Sequence, residues 1–141
     1  MYFKPLLLPL LAHVLLTLIV LYTMARQRVN EMKRKKIHPQ RVDNRRDSSI
    51  LFKDSAASLD NYHNQFESPV LFYVAILLTL MLMLQDNIIV VLAWIYVGLR
   101  YVHSIIHITY NRVMHRFMVF IFSAVVLFAI WVRLSWLIIQ A

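Results

Sequence analysis

The sequence predicts an all-α integral membrane protein, in which residues 1–141 form a single membrane domain built as a four-helix bundle. Of the 141 residues, 60% are hydrophobic and 16% are charged, and there is one glycine. Four apolar segments are each close to the length of about 20 residues that a helix needs to cross a bilayer. Ten of the fifteen basic residues lie in one loop between Arg26 and Lys53. Such a concentration of basic residues is typical of a cytoplasmic loop.

The predicted helices cover about residues 6–25, 62–84, 88–110 and 117–139, and a basic loop of about residues 26–60 joins the first two. The links that follow the second and third helices are short. The last three helices should therefore be antiparallel neighbours in an up-down-up unit. Lysine and arginine concentrate on the side of the long loop, which predicts that both termini lie outside.

The composition disfavours two classes of chemistry. The chain has no cysteine, so it has no disulfide, no thiolate nucleophile and no cysteine metal ligand, and thiol chemistry would need a thiol brought by a ligand. The formal net charge of +8 is concentrated in the long loop. We interpret this loop as a solvated linker or as a contact for anionic membrane lipids. Nucleic-acid binding is not expected.

A polar stripe runs along the third predicted helix. Residues three, four and seven positions apart share a helix face, and that face carries Tyr96, Arg100, His103, His107 and Tyr110. The opposite face is aliphatic. A charged side chain near the bilayer centre costs at least about 2.5–3.5 kcal/mol unless it faces protein or water. The stripe should therefore point into the bundle and have a partner there.

A second polar stretch lies near the start of the second predicted helix. Asn64 and Glu67 share one helix face, and Pro69 is expected to kink the helix because proline has no N–H to donate. The predicted topology places this stretch at the same depth as the cytoplasmic half of the stripe. Because Glu67 is an acid embedded in an apolar segment, it is the expected partner of Arg100 or His103.

Four interpretations of these polar groups are open. A ligand or catalytic site with Arg100 as an anion clamp competes with a structural network built on a Glu67–Arg100 ion pair. The pairs His63–Glu67 and His103–His107 have the spacing of metal-ligating helices, but Arg100 would repel a cation, so no metal ligand is predicted. A proton or ion pathway is the fourth interpretation.

These residues resemble the MAPEG family, the membrane-associated proteins of eicosanoid and glutathione metabolism. The family's N-x-x-E pattern followed by proline is matched by Asn64, Glu67 and Pro69, and its Arg-x-x-His pattern is matched by Arg100 and His103. The resemblance covers most of the chain. It looks greatest to a bacterial branch of the family, which implies a location in a bacterial inner membrane.

The resemblance implies a homotrimer of four-helix subunits that binds glutathione between neighbouring subunits, near the cytoplasmic side. The thiol of glutathione would be activated toward a lipophilic small molecule. The residues implied for ligand binding are Asn64, Glu67, His107 and Tyr110. Those implied for catalysis are Arg100, His103, Arg112 and Arg116. Arg112 or Arg116 is the candidate for stabilising a thiolate, because a nearby cation favours the ionised thiol.

Two positions depart from the family pattern. Asp60 stands one turn before Asn64, where the family usually has arginine, and its charge would repel the carboxylates of glutathione. His107 stands where tyrosine is usual. The leading hypothesis is a glutathione-dependent transferase or peroxidase. The alternative is a non-catalytic membrane protein that binds lipid or serves as a subunit of a larger assembly.

Overall fold

The computed structural model describes residues 4–38, 40, 50–84 and 86–140, which fold as an all-α bundle. The helices are α1 Lys4–Lys35, α2 Ala56–His63, α3 Ser68–Met81, α4 Asn87–Ile108 and α5 Val113–Gln140. Helices α2 and α3 follow one another as a single apolar stretch, so there are four stretches long and apolar enough to cross a membrane in the described chain. The protein is a multi-pass integral membrane protein.

Helix α4 is the central element of the bundle and packs against α1, α2 and α5, whereas α3 packs against α5 and α1. Helices α3 and α4 are consecutive in the chain, yet their backbones approach less closely than those of the pairs just named. They meet mainly through side chains, as where the rings of Phe72 and Tyr96 stack at 4.7 Å. The last three helices therefore do not form the tight unit that was predicted. Helices α3 and α4 lie further apart, and α1 packs beside α4.

The buried core and the lipid-facing surface follow from helical periodicity. Side chains spaced three and four residues apart on α4, such as Ala93, Tyr96 and Val97, are buried, as expected for one face of a helix. The outward faces stay apolar, and Phe128 on α5 remains 71% exposed. Exposed apolar surface of this extent is typical of a membrane interaction surface.

Helix α1 continues ten residues beyond the predicted end at Ala25. The added residues are mostly strong helix formers, and its last turn carries Lys33, Arg34 and Lys35, whose charges favour the negative end of the helix dipole. At about 1.5 Å per residue, its 32 residues exceed the hydrocarbon thickness of about 30 Å. Helix α1 therefore carries part of the predicted loop. The loop cations Arg41, Arg45 and Arg46 lie outside the described residues.

A buried carboxylate on the added part of α1 holds the start of α2. Glu31 is 3% exposed and accepts hydrogen bonds from the backbone N–H groups of Asp54 at 3.0 Å and Ser55 at 2.8 Å, and from the Ser55 hydroxyl at 2.6 Å. Lys35 pairs with the same carboxylate. The start of a helix leaves N–H groups without intrahelical acceptors, and Glu31 provides acceptors just ahead of α2.

A second ion pair lies at the opposite end of the bundle, where α3 turns into α4. The Asp86 carboxylate accepts the N–H of Ile89 at 2.8 Å, which caps α4. It also accepts Arg133 Nη2 at 2.7 Å and Nε at 3.1 Å. The Arg133 side chain thus extends toward the end of the bundle and binds an acid of the same chain there.

We predict that the Asp86 carboxylate contributes stability that is lost in acid. Burial raises the pKa of Asp86, but hydrogen bonds from Arg133 and Ile89 outweigh it, so the pKa lies below its ordinary value. A lowered folded-state pKa gives stability that is present above the unfolded-state pKa and lost as the pH falls through the folded value. Thermal unfolding in detergent should show this loss as the pH falls below the ordinary aspartate pKa of about 3.9.

Two substitutions separate the ion pair from the helix cap. Asp86→Asn should cost about 1.5–3 kcal/mol, because it removes a charged hydrogen-bond acceptor, and should reduce the acid dependence. Since asparagine is also a good cap, Asp86→Ala should cost about 1 kcal/mol more. Equal stability of wild type and Asp86→Asn at neutral pH would contradict a contribution from the ion pair.

Candidate functional site

A cavity of about 240 Å³ opens at the end of the bundle where the basic loop joins α1 to α2, which we call the basic end. It lies where the break between α2 and α3 faces the last turns of α4 and the first turns of α5. Four of the eight predicted site residues line it, together with three apolar side chains. The lining residues are Asn64, Glu67, His103, Val113, Arg116, Phe117 and Phe120. We call this cavity the α5 pocket.

The break between α2 and α3 places Asn64 and Glu67 at the pocket. The prediction of one kinked helix over 62–84 is corrected: α2 ends at His63, residues 64–67 form a turn, and α3 begins at Ser68. Pro69 lies at the start of α3, where its missing N–H would have no intrahelical acceptor. The helix stops before the proline instead of bending at it.

Arg100 is fully buried, and its partner differs from the predicted one. Its Nη2 donates to the backbone carbonyl of Asn64 at 2.6 Å. Glu67 is exposed and forms no salt bridge among the described residues, so the predicted Glu67–Arg100 ion pair is absent from this part of the chain. The reason is the helix break, because Glu67 precedes α3 with a non-helical backbone (φ −96°, ψ −105°) that leaves its side chain exposed.

The hydrogen bonds of His103 and His107 define which ring nitrogens carry protons. His103 Nδ1 lies 3.2 Å from the carbonyl of Arg116, and a carbonyl accepts only, so Nδ1 must donate. The neutral ring then keeps a lone pair on Nε2. His107 Nε2 lies 3.1 Å from Arg116 Nη1, and a guanidinium donates only, so Nε2 must accept. Arg116 also donates to Asn111 Oδ1 at 2.9 Å.

Four of the eight predicted site residues do not line the α5 pocket, namely Arg100, His107, Tyr110 and Arg112. Helix α4 ends at Ile108, and Asn111 has a positive φ of 45°, so the predicted stripe does not continue to Tyr110. The Tyr110 side chain is exposed and lies 3.3 Å from His115 Nδ1. Arg112 is exposed in the same link and does not line the pocket. The structure thus places Arg116, rather than Arg112, beside the histidines.

Two buried polar residues next to the site, Asn61 and Gln65, were missed from the sequence. Gln65 Nε2 donates to Ser104 Oγ at 3.2 Å, and Ser104 Oγ donates to Asn61 Oδ1 at 3.1 Å. These hydrogen bonds join α2 and the following turn to α4. The spacing of Asn61 and Gln65, four residues apart, was the available signal, since it places both on one helix face.

Aromatic rings close the bundle on the far side of Arg100. The Tyr96 ring stacks on His13 at 5.9 Å and on Phe72 at 4.7 Å. His13 Nδ1 lies 2.7 Å from the Tyr73 hydroxyl. These rings lie between the polar groups of the basic end and the apolar core of the bundle. The core includes the Leu127 and Ile130 side chains of α5.

Metal binding has little support in this arrangement. Among the described residues, no group of three or more histidine, aspartate and glutamate side chains is positioned to hold a metal ion. Arg116 also donates to His107 Nε2, which uses one of the ring nitrogens that a metal would need.

The comparison with protein families gives one result. The family model of the MAPEG family matches residues 6–136, nearly the whole chain, including the turn at 64–67 and both arginines of the site. No curated protein and no solved structure matches the chain. The resemblance seen in the sequence is confirmed, and the protein belongs to the MAPEG family.

Proposed function

We propose that this protein is a glutathione-dependent transferase or peroxidase that acts on a lipophilic substrate at the basic end of the bundle. The observation that supports the proposal is the α5 pocket, in which the cation of Arg116 and the exposed carboxylate of Glu67 lie in one cavity with His103. Glutathione carries an ammonium group, two carboxylates and a thiol, so it needs groups of both charges.

Glu67, Arg116 and Arg100 each have a role in this proposal. The Glu67 carboxylate, which is exposed and forms no ion pair among the described residues, pairs with the ammonium group of glutathione. Arg116 donates to the thiolate and lowers the pKa of the bound thiol, because a cation favours the ionised form. Arg100 acts indirectly by holding the Asn64 carbonyl, which orients the turn that carries Asn64 and Glu67.

The apolar wall of the pocket suits a lipophilic electrophile. Phe117 is 57% exposed, and with Val113 and Phe120 it lines the α5 side of the cavity. A substrate dissolved in the bilayer can approach along this face. In the transferase reaction, the thiolate sulfur forms a bond to an electrophilic carbon of the substrate, whose leaving group departs, and the thiol proton is released to water at the basic end.

The size of the pocket favours an oligomer. Its volume of about 240 Å³ falls below the range of about 300–1,000 Å³ that is typical of small-molecule sites. A neighbouring copy would supply the missing wall, in agreement with the homotrimer that we propose from the family. The proposal also includes an orientation and a location. The basic end is cytoplasmic, both termini lie outside, and the protein resides in a bacterial inner membrane, in contact with membrane lipids.

One observation favours the alternative of a non-catalytic membrane protein that binds lipid or serves as a subunit of a larger assembly. Asp60 is exposed on α2, one turn before Asn64, and its charge would oppose an anionic ligand. In this alternative the polar groups stabilise the bundle, as do the hydrogen bonds among Asn61, Gln65 and Ser104.

We predict that Glu67→Gln leaves the bundle stable, which tests whether Glu67 has a structural role. Because Glu67 is exposed and forms no salt bridge among the described residues, the substitution should change the free energy of unfolding by less than about 0.5 kcal/mol. A buried structural ion pair would instead lose about 3–5 kcal/mol. Thermal unfolding and size-exclusion chromatography measure this, with Asp60→Asn as the matched exposed-acid control. A large loss of stability in Glu67→Gln alone would favour the structural alternative.

We further predict that glutathione binding depends on Arg116 and not on Arg112. Calorimetry on the detergent-solubilised protein should show micromolar binding. Arg116→Leu should weaken it at least about ten-fold, since hydrogen bonds to charged groups contribute about 1.5–3 kcal/mol. Arg112→Leu removes an equal charge four residues earlier, in the link ahead of α5 and outside the pocket, and should stay within about two-fold of wild type. Absence of binding at millimolar glutathione would exclude the glutathione-dependent function.

A further inference from the structure

Two further cavities lie between α1, α2 and α4. Neither of them shares a lining residue with the α5 pocket. The larger one, of about 460 Å³, opens at the basic end between the last turns of α1, the start of α2 and the end of α4. Its lining is mostly polar and includes Asn30, Arg34, Asp54, His107 and Asn111. We call it the head cavity.

The smaller cavity is an apolar slot of about 100 Å³ between α1 and α4. Its walls are formed by aliphatic side chains, among them Ile19 and Ile105, which are 47% and 54% exposed and therefore face the bilayer. Ser58, Asn61 and Ser104 are the polar residues deepest in its lining, and each is at least 98% buried. The slot thus combines apolar walls with a buried polar floor.

The two cavities adjoin one another. Ser58 and Ile108 line both of them, so the polar compartment and the apolar slot lie side by side. The head cavity is at the end of the bundle and the slot extends from it along α1 and α4. The two cavities together are complementary to an amphiphile with a single alkyl chain. The polar compartment would hold its head group, and the narrow apolar slot at membrane depth would hold its chain.

The charges around the head cavity are already paired with each other. Arg34 donates to the Asp54 carboxylate, and Lys35 pairs with Glu31. The remaining polar groups of the lining include the neutral amides Gln27, Asn30 and Asn111. This balance favours an uncharged head group rich in hydrogen-bonding groups over an anionic one.

Two residues of the lining carry a buried donor that has no partner among the described residues. Asn61 Oδ1 is occupied by Ser104, whereas Asn61 Nδ2 has no partner among the described residues. His107 Nε2 accepts from Arg116, so its Nδ1 carries the proton, and that donor is also unpartnered in the described chain. A buried unsatisfied donor costs about 1–3 kcal/mol. A ligand with acceptors beside the slot and in the head cavity would remove this cost.

We propose that the head cavity and the slot form one binding site for a single-chain lipid ester with an uncharged polyol head, of the monoacylglycerol class. The part of the alkyl chain next to the ester lies in the slot between α1 and α4, and the rest of the chain extends past Ile19 and Ile105 into the bilayer. The ester carbonyl accepts from Asn61 Nδ2, and a head-group hydroxyl accepts from His107 Nδ1. The site goes beyond the proposed glutathione chemistry and needs no bound glutathione; its lining is separate from that of the α5 pocket, although Arg116 of that pocket donates to His107 and Asn111 of the head cavity.

Photolabelling of the purified full chain in detergent tests this site. The probe is a monoacylglycerol with a diazirine in its alkyl chain, and mass spectrometry should locate the label on the slot residues of α1 and α4. Ile105→Trp, which fills the slot, should reduce this labelling at least about ten-fold, as expected when a fully formed site is lost. Val102→Trp is the matched control on the same helix, because Val102 is 47% exposed and lies outside the slot.

Competition with unlabelled lipids tests the head group and the carbonyl without any mutation. Monooleoylglycerol should compete best. Its ether analogue, which lacks the carbonyl, should compete about ten-fold more weakly because Asn61 Nδ2 is left unpaired, and anionic lysophosphatidylglycerol should be weaker still. Glutathione should not compete.

Three results would overturn the proposal. The first is equal labelling of Ile105→Trp and wild type, or labelling spread evenly over lipid-facing residues, which describes annular lipid. The second is anionic lipid competing as well as monooleoylglycerol. The third is a disulfide between two copies of Ile105→Cys in membranes, which would assign the slot to a subunit interface.

Discussion

The hydrogen bond from the Arg100 guanidinium to the backbone carbonyl of Asn64 joins the two polar stretches of the chain. A cation buried at membrane depth needs an acceptor, and an uninterrupted helix would give this carbonyl to the N–H four residues later. The break at residues 64–67 leaves the carbonyl free. The buried arginine and the interrupted helix therefore depend on each other, and the turn that results carries Asn64 and Glu67 into the α5 pocket.

Helical periodicity was sufficient to predict the all-α membrane fold and the buried face of α4, because a stripe of polar groups in an apolar segment has one low-energy orientation. It could not predict where a helix stops. Periodicity does not distinguish a kink at Pro69 from a break before it, and it did not show that the charged residues after Ala25 continue α1. The expected Glu67–Arg100 ion pair was wrong for the same reason, since it assumed that Glu67 was part of a regular helix.

Site residues could be predicted from the sequence where their depth in the membrane alone decides whether they line the pocket. Asn64, Glu67, His103 and Arg116 line one pocket because two antiparallel helices bring those positions to the same end. Tyr110 falls outside because α4 ends two residues earlier, and helix ends are set by local backbone geometry. The head cavity had no sequence signal, because it depends on Glu31 holding the start of α2, a contact between residues 24 positions apart.

The Asp86–Arg133 pair also has a consequence for how the protein is made. Asp86 leaves the ribosome 47 residues before its partner, so α4 must enter the membrane while the ion pair is still incomplete. During that interval the cap on Ile89 gives the carboxylate a hydrogen-bond donor from its own helix. Arg133, which is synthesised later, binds a carboxylate whose hydrogen bond to Ile89 needs no residue of α5.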